Sequence, residues 1–262
     1  MAVDDDVHAE YANIPPSKTT GLTAYPEWVS KLPVAQSGLG GTATLFEDQR
    51  IRILLDLCPV DNYRVLELGP FEAGHTYMLH GAGAESIDAI EAHRSSYIKC
   101  VLAKEALDLT RAHFYLGDFV AWLQNTTKAY DLAVASGVLY HMADPVGLLD
   151  LLCKRANRIF LWTHYAPTTP YPDGHPLKQA YTGEIDEIEH KGEKLKLYQR
   201  TYLDVANTST FCGGVRDRHA WMEKDGILAL LRVNGFATQH VFMDQPEGHP
   251  NGPCLCIYAE KA

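Results

Sequence analysis

The sequence lacks any apolar run approaching the ~18–20 residues that a membrane-spanning helix needs, which weighs against a membrane protein. It also lacks a run of Lys and Arg interleaved with aromatics. Lys and Arg number 23 against 33 Asp and Glu, so the net charge is −10. That balance repels a phosphate backbone and weighs against a nucleic-acid partner. Cysteines are few: Cys58, Cys100, Cys153, Cys212, Cys254 and Cys256, with no Cys-x-x-Cys spacing among them. They read as small buried hydrophobes of a reducing compartment, and Cys254 and Cys256 share one face of a late strand. The 12 histidines are dispersed, with no helical His pair bracketing a glutamate, so no metal is expected. The chain opens on Asp4-Asp5-Asp6 rather than on a basic stretch leading into an apolar one, and the expectation is a soluble, cytoplasmic protein.

What is present suffices for a full core. At 262 residues and 46% hydrophobic, the chain can bury one main α/β domain without a partner. Its most informative stretch is Arg64-Val65-Leu66-Glu67-Leu68-Gly69-Pro70-Phe71-Glu72-Ala73-Gly74-His75. An apolar strand ending in a glycine turn lets backbone approach a ligand, and the following helix offers free N–H groups there. A dinucleotide fingerprint wants a second glycine two residues after the first, where Phe71 stands, which disfavours a nicotinamide-dependent oxidoreductase. Glu67 suits a cationic ligand better than a pyrophosphate. S-adenosyl-L-methionine, with its ammonium and sulfonium charges, is such a ligand.

Further strand-like segments follow in order. Ser86–Glu91 ends on an acid about 20 residues past the turn, where a βαβ unit delivers a carboxylate to ribose hydroxyls. Ala112–Leu116 leads into Gly117-Asp118-Phe119, Tyr130–Ala135 into Ser136-Gly137-Val138-Leu139-Tyr140-His141, and Arg158–Trp162 into Thr163-His164-Tyr165. One polar cluster per strand end places the chemistry on one edge of a parallel sheet. From about Tyr63 to Tyr165, and again from His219, the chain resembles the class I S-adenosylmethionine-dependent methyltransferases. Gly137-Val138-Leu139-Tyr140-His141-Met142-Ala143-Asp144-Pro145 is similar to a narrower branch that includes tRNA-uridine carboxymethyltransferase-like enzymes. The loop Pro70–Ala73 departs from the commoner Gly-x-Gly-x-Gly.

The resemblance implies a Rossmann-like, mostly parallel sheet with helices on both faces and an antiparallel last strand inserted between its neighbours. It implies S-adenosylmethionine contacts at Glu67, Gly69, Phe71, Gly74, His75, Glu91, Asp118, Phe119, Ser136 and Gly137. His141 and His164, just beyond two strand ends, are candidate general bases, since an ordinary histidine pKa near 6.5 suits the task. Tyr140 and Tyr165 are candidate acceptor contacts.

Two pieces lie outside the sheet motifs. Residues 1–62 read as a cap carrying a helix from Leu45 to Leu57, with Asp48 and Arg50 able to face substrate. The methyltransferase domain, 63–262, contains an insertion, 166–218, with a β-hairpin over Glu184–Tyr202 turning at Lys191-Gly192. So long an insertion reads as a lid or an oligomer contact, which leaves a homo-oligomer open. From His219, Trp221, Ile227, Leu228, Leu230, Leu231 and Val233 form a helix ended by Asn234-Gly235. Phe236–Met243 and Pro253–Ala259 then read as two strands. The expected function is methyl transfer to a small-molecule acceptor, at oxygen or nitrogen. An RNA-modifying transferase and a cofactor binder without transfer activity are the alternatives.

Overall fold

The structure, a computed structural model, describes residues 14–25, 27–34, 39–203 and 214–262. Cys212 and most of the run 207–214 lie outside them. In chain order the elements are α1 (Gln49–Leu57), β1 (Arg64–Leu68), α2 (Gly74–Gly81), β2 (Ser86–Glu91), α3 (Arg94–Ala106), β3 (Ala112–Leu116), α4 (Phe119–Asn125), β4 (Leu132–Ser136), α5 (Pro145–Arg155) and β5 (Arg158–His164). Then come β6 (Tyr181–His190), β7 (Glu193–Arg200), β8 (His219–Met222), α6 (Lys224–Val233), β9 (Thr238–Gln245) and β10 (Cys254–Glu260).

Seven strands form one sheet in the order β3-β2-β1-β4-β5-β10-β9. The first five are parallel, and β10 runs antiparallel between β5 and β9. This is the expected Rossmann-like methyltransferase sheet, with its last strand inserted. Side chains alternate across it. Leu66, Leu68, Ala133, Leu255 and Ile257 pack into one core with α5 and α6, while Val65, Leu132, Val134, Cys256 and Tyr258 pack into the other with α1, α2 and α3. Both faces are covered, which is why the parallel strands read as near-continuous apolar runs.

Three of the helices start where side-chain oxygens take their free N–H groups. Asp48 accepts from Arg50 N, Asp118 from Val120 N and Asp144 from Gly147 N, and Pro145 opens α5. The helix expected from Leu45 is therefore divided. Leu45–Glu47 is a 3-10 turn, and the α-helix begins at Gln49 behind the Asp48 cap.

The expected hairpin forms, as β6 and β7, and its tip residue Lys191 has φ 53°. One expectation about this region needs correction. His219–Met222 is a strand, not the start of a helix, because it pairs with Leu197–Arg200 and makes a three-stranded sheet; α6 starts at Lys224. The hairpin packs against the body of the domain. Leu195 and Leu197 join the core beside α5 and α6, and His190 and Lys191 bond Asp150 of α5 at 2.8 and 2.9 Å. Among the described residues no helix is long and apolar enough to cross a membrane.

Candidate active site

A cavity of 730 Å³ opens at the carboxyl ends of β1, β2 and β4, within the range of ~300–1,000 Å³ usual for ligand sites. Nine of the ten expected cofactor contacts line it: Gly69, Phe71, Gly74, His75, Glu91, Asp118, Phe119, Ser136 and Gly137. Glu67 does not. It is buried, takes a hydrogen bond from the Thr76 hydroxyl at 2.5 Å, and burial pushes its carboxyl above the usual range against the pull of His75 and Thr76. Its bond to Thr76 ties β1 to α2 directly beneath the glycine turn.

The loop after β1 is wound tightly. Gly69, Phe71 and Ala73 all have left-handed backbone, with φ of 64°, 56° and 66°. Only one of the three is glycine, and each of the other two costs of order 1–3 kcal/mol. Three sets of contacts hold the loop in place. The Glu91 carboxylate accepts from Phe71 N at 3.0 Å and His93 N at 2.8 Å. Burial drives its pKa up, the two N–H groups oppose this, and the net is a raised carboxyl. Glu72, fully buried, pairs with Lys99 at 2.8 Å and also accepts from Val29 N and Ser30 N at 2.9 and 2.8 Å. Gly74 permits the third contact, since a Cβ there would sit 2.7 Å from the Leu45 backbone.

The segment before β1 thus closes one side of the cavity. Arg50 lines it, stacks over Trp162 at 4.5 Å from the ring centroid, and is gripped by Asp48. Asp48 itself is buried behind Arg50 and does not line the cavity. Burial would raise the Asp48 carboxyl, but hydrogen bonds from His75 (2.9 Å) and Arg50 outweigh it and hold the group below the carboxylate range. Of the expected acceptor contacts, Tyr140 lines the cavity with Arg50, whereas Tyr165 is buried outside it, donating to Asp244 at 2.8 Å.

The two candidate bases separate. His141 lines the cavity, and its Nδ1 lies 2.5 Å from the Tyr202 hydroxyl. His164 does not line it; its Nδ1 faces the carbonyls of Gly252 and Pro253 at 3.2 and 3.0 Å, and its ring stacks on Trp221 at 5.2 Å. Neither has the ordinary pKa expected of it. Burial, aided by His219 and His164, brings His141 down to about 3. Burial brings His164 down to about 4 despite its carbonyl partners. Both imidazoles are neutral at pH 7 and are weak bases.

Sequence reasoning missed Trp162, which forms a cavity wall with Tyr140 (centroids 5.8 Å apart), and the Gly214–Arg216 stretch, which lines the cavity from the inserted segment. It also missed the Glu72–Lys99 pair. Trp162 sits on the last turn of a strand already placed at the active edge, which was an available signal.

A seven-stranded sheet of this order, with an antiparallel strand inserted and a cavity at its parallel strand ends, defines the fold of the S-adenosylmethionine-dependent methyltransferases. Solved structures of that fold match this chain. The N-terminal domain of EvdMO1 in the presence of S-adenosylhomocysteine and D-fucose superposes with a TM-score of 0.62 at 18% identity, covering 94% of each chain. Against the longer EvdMO1 chain the match covers 93% of this chain and 46% of that one. Magnesium protoporphyrin IX methyltransferase from Synechocystis PCC 6803, with S-adenosylhomocysteine bound, gives 0.51 at 15% identity over 81% of this chain and 80% of that one. An S-adenosylmethionine-dependent methyltransferase from Mesorhizobium loti gives 0.53 at 12% identity, covering 80% and 95%. No family model matches the sequence, and no curated protein matches it.

Proposed function

We propose that this chain is an S-adenosylmethionine-dependent methyltransferase acting on a small molecule, with transfer to a hydroxyl or amine. The observation that carries the reading is the cavity itself. Glu91 and Asp118 stand at the ends of neighbouring elements where ribose and adenine would lie, and Gly69, Ser136 and Gly137 leave backbone open between them. The donor set fits the cofactor. Glu91 spends one lone pair of each oxygen on Phe71 N and His93 N, which leaves one on each for a ribose hydroxyl. A Cβ on Gly69 would come within 3.3 Å of Val138, and one on Gly137 within 3.4 Å of Trp162, so the cradle is shaped by glycine.

When bound, the cofactor supplies an electrophilic methyl group on a sulfonium. The residues of this chain orient and desolvate the acceptor, and holding two reactants in a near-attack pose is worth roughly 7–11 kcal/mol. Tyr140 and Trp162 give the acceptor an aromatic wall, and Arg50 gives it a fixed cation. His141 is the neutral imidazole beside the acceptor position, held at Nδ1 by Tyr202, and its role is to orient an acceptor rather than to take its proton. His164 positions the loop after β5. Among the described residues of the insertion 166–218, those that line the cavity are Gly214–Arg216, and we assign closure to them rather than to the β6–β7 hairpin.

The EvdMO1 domain was crystallised with a sugar, D-fucose, and this chain spans 94% of that domain. A polyhydroxylated ring is the acceptor class that suits the aromatic wall best. A net charge of −10 keeps an RNA acceptor behind it. The test is a panel of sugars, phenols and amines incubated with methyl-labelled cofactor. Label transferred to a sugar hydroxyl supports the reading; label found only on RNA overturns it.

A further inference from the structure

We propose that His164, His249 and Cys254 form a binding site for one zinc-like divalent ion, separate from the cofactor cavity. β5 and β10 run antiparallel, and their register sets His164 directly opposite Cys254. Residues paired this way point to the same face of a sheet with Cβ atoms ~4.5–5.5 Å apart. The β9–β10 loop then brings His249 over the pair, its ring centroid 4.8 Å from that of His164. One potential ligand atom from each of the three lies within 4.8 Å of the other two. Around a tetrahedral zinc, with bonds of about 2.0–2.3 Å, such atoms stand roughly 3.3–3.8 Å apart. Side-chain rotation closes that gap.

The surroundings of His164 give an independent reason. Both groups facing its Nδ1 are backbone carbonyls, which can only accept, so Nδ1 carries the ring proton. That leaves Nε2 with its lone pair free. A ring proton donated to a backbone carbonyl is the arrangement that orients metal-ligating histidines. Trp221 stacks on the ring at an interplanar angle of 6°, and its own Nε1 donates to the Tyr140 carbonyl at 3.0 Å, so the imidazole is held before any ion arrives.

The other two ligands are looser. His249 Nδ1 accepts the Asn251 N–H at 3.2 Å, a long bond on a surface loop that loading would break or re-form on the other tautomer. The partly exposed His249 also gives an ion its route in. Cys254 is fully buried and must lose its proton to the solvent as the ion binds. Burial raises its pKa while Trp162 and Arg50 pull it down. Two cations stand near enough to oppose an ion: Arg50, whose bidentate pairing with Asp48 offsets its charge, and Arg200, which stacks on Trp221 at 3.8 Å and whose charge the two imidazoles and the thiolate must outweigh. Two imidazoles and a thiolate select zinc-like ions over magnesium or calcium, and three protein ligands leave a fourth position open.

The test is titration of the chelator-stripped full-length chain with cobalt(II) as a spectroscopic probe, followed by displacement with zinc. The expected result is one equivalent bound, with a thiolate-to-cobalt charge-transfer band that zinc abolishes. C254S should lose that band, and H249A should weaken binding by at least about 100-fold, since second-shell changes alone cost 10–100-fold. H249A replaces a surface side chain and keeps the test valid if C254S misfolds. H113A, a strand-edge change far from the site, should bind as the wild type does. No stoichiometric binding to the wild type, or undiminished binding by H249A, overturns the proposal.

Discussion

Glu72→Ala is the change that most sharply tests how the segment before β1 is fastened to the cofactor loop. It removes a fully buried carboxylate that accepts three hydrogen bonds, from Lys99 Nζ, Val29 N and Ser30 N. Lys99 would keep the Glu27 carbonyl at 2.8 Å and the faces of Tyr25 and Trp28 at 5.7 Å, none of which carries a negative charge. Breaking a buried pair from one side costs about 3–5 kcal/mol, mostly from the charge left behind. Two backbone donors also lose their acceptor, at about 1–3 kcal/mol each where water cannot reach them. A loss of about 4 kcal/mol or more is expected, a large part of the 5–15 kcal/mol typical of a folded domain. Lys99→Met strands the carboxylate instead but leaves it both N–H donors, so about 2–3 kcal/mol is expected. The double variant Glu72→Gln with Lys99→Met should recover most of the loss. Urea unfolding followed by tryptophan fluorescence measures all three, with Trp28 as a local reporter because it is buried in this contact. A loss under about 1 kcal/mol for Glu72→Ala, or a double variant no more stable than Glu72→Ala, would refute the reasoning.

Three further outcomes follow from the same geometry. His141 is neutral in the fold and protonated in the unfolded chain between about pH 3 and 6.5, so the unfolded state binds more protons there and stability rises with pH. Its share amounts to about 2 kcal/mol between pH 5 and 6.5, read as the wild-type curve minus that of His141→Gln; an unchanged difference across that window would contradict it. The same depressed pKa predicts that turnover shows no acid limb near pH 6.5 from this group; a limb at 6.5 abolished by His141→Ala would show that the imidazole is not held as described. Leu195→Ala should destabilise the whole domain by about 2–5 kcal/mol, because the hairpin is part of the core; a hairpin that melts alone, ahead of the domain in hydrogen exchange, would contradict this.

The sheet was legible in the sequence because its signals are local. Each parallel strand is a short apolar run, each ends near an acid, glycine or histidine, and the helices after β3 and β4 start at the capping aspartates Asp118 and Asp144. Most of the cavity followed from that, since strand ends place residues without knowledge of distant contacts. The failures lie where tertiary contacts decide. His219–Met222 carries the apolar residues of a helix start, yet the open edge of β7 takes it as a strand. Glu67 stands two residues before Gly69, but Thr76 and the surrounding burial keep it from the cavity. The pKa values of His141 and His164 depend on the chain folded around them. Lys99 is unremarkable within its helix and becomes a buried charge only when Glu72, 27 positions earlier, is folded against it.

The central claim is that the cavity takes the sulfonium cofactor through Glu91, and calorimetric titration tests it most directly. S-adenosylhomocysteine should bind the wild type with one-to-one stoichiometry, and NAD should give no heat. Glu91→Ala removes charge-assisted bonds to two ribose hydroxyls, each worth about 1.5–3 kcal/mol, so affinity should fall at least ~100-fold. Binding of NAD with none of S-adenosylhomocysteine, or unchanged affinity in Glu91→Ala, would contradict the account.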